Sequence, residues 1–183
     1  MPACQAVLLL ALLLDPASNP LGDSPVPLTR GTYWEYRESY TEAHGEVDST
    51  TDGTTRFEVR GRAERPYIHQ EGGADPSPGP VEAGAGWIRL TPWTGEDALP
   101  LPLLPGRSGP RAEGGGAWTV EAEEDVEVPA GTFHSLRCAL RGPGSESLLW
   151  IVPGVGVVRE TQGTGRPGRR PEIERVLVKW AKP

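Results

Sequence analysis

Cysteine, histidine, long apolar runs and excess positive charge are all scarce in this chain of 183 residues. The two cysteines are Cys4 and Cys138. Cys4 precedes an apolar run that reads as an export signal, so the mature protein keeps one free thiol and a disulfide scaffold is excluded. The three histidines, His44, His69 and His134, have no second ligand at the spacing of a recognised metal motif, and no metal or other cofactor is expected. The longest apolar run, Ala6–Leu14, spans only ~14 Å as a helix against a hydrocarbon core of ~30 Å, so it provides no transmembrane span. The formal net charge is −7 and the pI about 5.0. An acidic surface repels phosphate backbones, which argues against nucleic acid as a partner. There is no G-x-S-x-G elbow, no phosphate-binding loop and no dinucleotide fingerprint, and the chain is expected not to be an enzyme.

What is plentiful is glycine (24) and proline (20), together about a quarter of the residues, against a usual share nearer ~12%. Six tryptophans accompany them, and each ring has roughly 150–250 Å² to bury, which requires a folded core. Residues 1–22 read as a signal peptide: the Ala6–Leu14 run, then Asp15, Pro16, Asn19 and Pro20, which end a helix. Ala17-Ser18-Asn19 is the nearest cleavage site, and no lipid-modified cysteine stands at the usual place. Residues 23–183 then form one domain in a periplasmic or extracellular setting.

Alternation of apolar and polar residues dominates that domain, the mark of strands with one buried face. Trp34, Tyr36 and Tyr40 share one parity against Glu35, Arg37 and Ser39. Trp118, Val120, Ala122, Val126 and Val128 alternate with Thr119, Glu121, Glu123, Asp125 and Glu127. Near the end, Val176, Val178 and Trp180 alternate with Arg175, Leu177 and Lys179. Further strands are expected over 55–60, 65–70, 86–90, 132–140, 147–152 and 155–161. Pro129-Ala130-Gly131 and Pro153-Gly154 read as hairpin turns, since proline presets φ and glycine accepts positive φ. Asp52-Gly53 also reads as a turn. Three glycine- and proline-rich stretches, 72–86, 105–116 and 162–171, read as long loops. The last carries the basic cluster Arg166, Arg169 and Arg170, a solvated loop or a patch for anionic head groups. The expected fold is all-β: an antiparallel meander packed on itself, with long loops rich in glycine and proline.

Three segments carry a family resemblance: Pro27-Leu28 with Gly31-Thr32-Tyr33-Trp34-Glu35-Tyr36, then Val126-Glu127-Val128-Pro129-Ala130-Gly131-Thr132-Phe133, then Trp150-Ile151-Val152-Pro153-Gly154-Val155-Gly156-Val157-Val158-Arg159. Their order and spacing resemble the TapB-like group of exported bacterial proteins of uncertain function. That group is similar to the half-barrel superfamily of periplasmic lipoprotein carriers. The resemblance implies a curved antiparallel sheet, a half-barrel or open barrel meander, together with export and no known catalytic residues. Within it, Gly31, Gly131, Gly154 and Gly156 read as backbone devices and Pro129 as a turn former. Trp34, Tyr36, Phe133 and Trp150 read as structural anchors.

The remaining chemistry is thin. His134 and Cys138, four residues apart on one strand, would lie ~13 Å apart, too far for a nucleophile–base pair. The acidic row from Glu121 to Glu127 reads as a solvated face, because a cation site needs ligands converging from several directions. The functional expectation is a non-catalytic binding or interaction protein of the cell envelope. It would hold an apolar or lipid-like ligand, a lipid or lipoprotein, on a concave face lined by Trp34, Tyr36, Trp87, Trp118, Trp150 and Trp180. The alternative is a structural envelope or surface-assembly component without a small-molecule site.

Overall fold

The computed structural model describes residues 21, 24–44, 47–72, 78–109, 117–142, 144–163 and 173–183. The signal-peptide stretch, Cys4 and the arginine cluster at 166–170 lie outside the described residues.

The first half of the chain supplies β1 (Tyr33–His44), β2 (Val47–Arg62), β3 (Arg65–Glu71), β4 (Pro78–Gly84), β5 (Trp87–Leu90), a single turn α1 (Thr91–Thr94) and β6 (Leu99–Pro100). The second half supplies β7 (Thr119–Val128), β8 (Gly131–Gly142), β9 (Ser145–Val152), β10 (Gly156–Gly163) and β11 (Ile173–Ala181). All pair antiparallel in one sheet ordered β6-β5-β4-β3-β2-β1-β11-β10-β9-β8-β7. Two meanders are therefore joined where the first strand meets the last, Tyr33–Tyr40 against Ile173–Ala181. The expected curved antiparallel sheet is the fold observed.

The two outer edges of the order do not stay open. Leu101 N donates to Gly86 O (2.8 Å), holding the connector after β6 against β5. Further along, Gly106 N donates to Val120 O (2.7 Å), Val120 N to Arg107 O (2.9 Å) and Gly109 N to Trp118 O (2.8 Å). The stretch expected to be a loop from 105 therefore docks as a ladder on β7 and draws the sheet into a nearly closed barrel. Gly109 is required there: a Cβ would lie 1.8 Å from the carbonyl oxygen of Ala98.

Two other expectations are corrected. The stretch 72–86 contains β4, which its prolines had disguised. Pro78 and Pro80 lie beyond the last β4–β5 pair, Val81 with Leu90, where a missing amide interrupts no ladder on that side. Asp52-Gly53 is not a turn but mid-strand in β2, paired with Ser39 and Glu38 of β1. The Ser39 hydroxyl donates to Asp52 there (2.7 Å).

The core is filled by side chains. Trp34 meets Trp93 edge-on with centroids 5.6 Å apart, Tyr36 meets Phe57 at 5.4 Å, and Phe57 meets Trp93 at 5.0 Å. Such pairs add ~0.5–1.5 kcal/mol beyond simple burial. Val59, Ile68, Ile88, Leu90, Leu99, Trp118, Val120, Leu149, Ile151 and Leu177 complete the packing.

Candidate functional site

Along β1, the parity that buries Trp34 and Tyr36 next places Glu38 on the same face. Register carries that rung across the sheet: Glu38 pairs with Arg175, Arg175 with Glu160, Glu160 with Leu149, Leu149 with Cys138 and Cys138 with Val120. Three charged groups thus stand in a row otherwise made of core residues. Glu160 is 0% exposed and Arg175 9%. Arg175 Nη1 donates to Glu160 (2.9 Å) and its Nε to Glu38 (2.7 Å). Thr55 donates its hydroxyl to Glu38 (2.8 Å), and Gln162 Nε2 donates to the other oxygen of Glu160 (2.5 Å).

Each charged group is thereby hydrogen-bonded, with one guanidinium shared between two carboxylates and neutral donors completing the set. Burial pushes the Glu160 carboxyl above its ordinary range, while the neighbouring Arg175 pulls it back only in part. The Tyr36 phenol is raised well above its usual value by burial and by Glu160, and it donates to Val157 O (2.6 Å). Cys138 shares the rung but not the chemistry. Burial pushes its thiol up to about 12, and Leu149 stands between it and Glu160, so two strand spacings, roughly 10 Å, separate them. A thiol that stays protonated and has no adjacent base is a packing group.

The motif residues fall into separate places. Trp34, Tyr36, Gly154 and Gly156 come together. The Trp34 indole donates to Val155 O (2.6 Å). Gly156 has φ +113°, and a Cβ there would sit 3.0 Å from Trp34 Nε1, which makes glycine necessary where β10 crosses the indole. Gly154 N donates to Pro25 O, and Gly31 N to Val59 O (both 2.9 Å), tying the segment before β1 to the same end. Pro129, Gly131 and Phe133 form the β7–β8 turn elsewhere, where Ala130 N reaches Leu177 O of β11 (3.0 Å). Trp150 is buried on the opposite face of β9 from Leu149 and Ile151. Its indole donates to Glu124 (2.5 Å), and Arg159 lies over its ring at 4.9 Å.

Two bulges explain why parity misleads about faces. Between Val120 and Ala122 the register slips. Val120 therefore pairs with Cys138 and Ala122 with Arg137, and the single apolar row expected of β7 is split between two faces. A second slip opposite Glu35 and Tyr36 leaves Val178 as the extra residue. Leu177 is consequently buried and Val178 is 42% exposed, the reverse of what the apolar parity of Val176, Val178 and Trp180 implies.

Sequence reasoning missed the Glu38–Arg175–Glu160 row. The available signal was a charged residue at a core parity, Glu38 two residues after Tyr36; Arg175 gave none, because it shares with Leu177 and Lys179 the parity that the apolar pattern of β11 turns away from the core. The acidic row of β7 does face solvent at Glu123, Asp125 and Glu127. His134 Nδ1 lies 2.8 Å from Asp125 there, and hydrogen bonding to that carboxylate raises the imidazole above its ordinary pKa. His69 lies beside Glu71 (3.7 Å). Among the described residues no group of three or more His, Cys, Asp or Glu is placed to hold a metal ion.

Open space lies at one end of the barrel. There the segment before β1, the β2–β3 turn, Gly154 and Lys182 enclose a cleft of about 830 Å³, within the ~300–1,000 Å³ usual for small-molecule sites. Leu21, Pro27, Leu28 and Ala63 present accessible apolar surface to it, Val26, Val59 and Pro66 are buried in its lining, and Arg30, Arg62 and Lys182 also line it. Arg60, also at the margin, is committed to Glu58 (3.1 Å) and Glu71 (2.5 Å).

No family profile matches the chain and no curated protein matches it in sequence, so the TapB-like likeness stands on the shared motifs alone. Among solved structures, the chain is similar to a candidate exported protein with a YmcC-like fold from Bacteroides fragilis NCTC 9343. The identity is 12% and the TM-score 0.49, over 86% of this chain and 98% of that one. It is similar also to a candidate lipoprotein from Parabacteroides distasonis ATCC 8503, at 15% identity and TM-score 0.48 over the same shares.

Proposed function

We propose that the protein is an exported, non-catalytic binding module of the cell envelope whose ligand, apolar or lipid-like, sits in the cleft at the end of the barrel. The observation that carries this reading is the cleft itself, to which Leu21, Pro27, Leu28 and Ala63 present accessible apolar surface. The concave face expected to hold such a ligand is occupied by Trp34, Tyr36, Phe57 and Trp93, so the site moves to the rim. Export rests on the Ala6–Leu14 run and its helix-breaking sequel. A non-enzymatic role is supported by the inert Cys138 thiol and by Glu160, whose carboxylate is locked to Arg175 and Gln162. Native mass spectrometry of protein purified from its own envelope tests the proposal. A co-purifying lipid or lipoprotein acyl group supports it, and a bare mass at full occupancy counts against it.

A structural envelope or assembly role is the second reading, favoured by the filled interior and by the exposure of Tyr40, Leu104 and Val178. It expects the bare mass, together with self-association or capture of an envelope component that depends on those side chains.

A further inference from the structure

The β1–β2 hairpin is longer than the strands that flank it. β1 pairs with β11 only as far as Tyr40, opposite Ile173, and β2 pairs with β3 only from Arg56, opposite Glu71. Yet β1 and β2 stay paired with each other out to His44 and Val47. Gly72, at φ +80°, ends β3 against Thr54, where a Cβ would meet the Thr54 carbonyl oxygen at 2.6 Å. Pro78 is already back beside His69. The chain from Gly72 to Pro78 can span about 20 Å at most, short of the ~27 Å round trip from Thr54 to Thr50 along a strand. Among the described residues no strand lies on the far side of β2 before Arg56, and residues 49–54 are exposed.

The phase of the ladder fixes which groups face that open side. Val59 N donates to Thr32 O (2.8 Å), and Val59 O accepts from Gly31 N (2.9 Å), so Val59 turns its backbone toward β1. The β1–β2 register runs unbroken from Glu58 to Val47. Alternation therefore turns the amides of Gly53 and Thr51 toward β1 and those of Asp52 and Thr50 away from it. Exposed edges are usually blunted by proline, lysine or a bulge, and residues 47–54 contain none of these. Charge then selects the occupant. Between Arg37 and Arg56 the chain has no lysine or arginine, but it has Glu38, Glu42, Glu46, Asp48 and Asp52. Arg175 binds Glu38, whereas Asp52 is exposed with only the Ser39 hydroxyl as donor among the described residues. A second copy of this arm would bring acid against acid, which like-charge repulsion disfavours.

We propose that the free edge of β2 takes up an extended, basic segment of a partner protein as an added strand. The segment hydrogen-bonds to the backbone of Thr50 and Asp52 and carries lysine or arginine opposite Asp52. Main-chain bonds supply the affinity in such strand addition, and the facing side chains supply the choice of partner. A two-stranded ribbon is marginal in water, so a third strand also stabilises the arm. The cleft lies at the other end of β2, beside residues 59–62, and neither site depends on the other.

The test uses the full chain and a short capped peptide of alternating lysine and threonine, followed by amide exchange resolved by NMR. In the free chain the amides of Thr50 and Asp52 are expected to exchange fast and those of Thr51 and Gly53 slowly. The peptide should bind with a Kd on the order of 100 μM at low salt, more weakly as salt is raised. At saturation it should slow the Thr50 and Asp52 amides about tenfold and leave Thr51 and Gly53 unchanged. Thr50→Pro removes an amide that β1 does not use, so it should abolish binding without moving the melting temperature. Asp52→Asn should narrow the preference for the lysine peptide over its glutamate counterpart. Slow exchange at Thr50 and Asp52 in the free chain means that the edge is already covered and overturns the proposal. Slowing that appears only as protein concentration rises gives the edge to a second copy and overturns the partner. A fully N-methylated lysine peptide binding as tightly reduces the contact to charge attraction and overturns strand addition. Equal binding of the glutamate peptide overturns the basic class.

Discussion

Among the barrel's ion clusters, two triplets of the same composition, an arginine between two glutamates, lie in opposite surroundings. Arg175 with Glu160 and Glu38 lies in the rung of core residues, 9% exposed at the arginine. Arg141 with Glu146 (2.7 Å) and Glu121 lies on the sheet surface, with 53% of the arginine side chain in water. Each arginine is bound to a register partner on the next strand, Arg175 to Glu160 and Arg141 to Glu146. What separates them is the cost of removing a partner. In water, the survivors of a broken triplet are resolvated. In the rung, they are left charged in a medium that cannot solvate them. A row of salt bridges therefore says little about stability until its burial is known.

Arg175→Met should produce the largest effect. The buried Glu160 and the partly buried Glu38 lose their shared cation, and a loss of about 3–5 kcal/mol is expected in denaturant unfolding. Replacing all three members with apolar residues, Glu38→Leu, Glu160→Leu and Arg175→Met, should recover most of that loss. If the triple variant proves as unstable as the single one, charge desolvation is not the cause. Tyr36→Phe comes next: the buried Val157 carbonyl loses its donor, at about 1–3 kcal/mol, read by the same titration.

The two triplets should also separate in pH. The Glu160 pKa is raised in the folded state, so the folded chain binds a proton there more tightly than the unfolded chain does. That contribution is complete below the unfolded glutamate value of 4.5 and is lost as pH rises through the folded pKa. The stability difference between the unaltered chain and Glu160→Gln should therefore move with pH above 4.5 in favour of the glutamine variant. A flat difference curve would remove the desolvation argument. Arg141→Met should be the smallest change, between about 0 and 1 kcal/mol and further reduced by salt. A loss approaching that of Arg175→Met would abolish the contrast between the triplets.

Much of the strand map was legible in the amino-acid order. The alternation around Trp34 and Tyr36, the acidic stripe of β7 and the turn at Pro129-Ala130-Gly131 are local patterns, and the structure keeps each as a strand or a turn. β4 was hidden because Pro78 and Pro80 look like loop residues to any rule that ignores which neighbour an amide faces. The apolar parity of β11 pointed to the wrong face because one bulged residue, Val178, shifts the side chains across the sheet.

By itself, the order of residues determined a curved antiparallel sheet with two-residue periodicity, since side-chain alternation along a strand needs no distant partner. Only the tertiary structure decided which charged residues are core residues. Glu38 and Arg175 are 137 positions apart and meet because the first strand pairs with the last. The tertiary structure also decided that the free space is a cleft at the rim, because the segment 24–30, the β2–β3 turn and Lys182 converge there only once the sheet has curled. Pairing between distant strands sets burial, and burial sets what each charge costs.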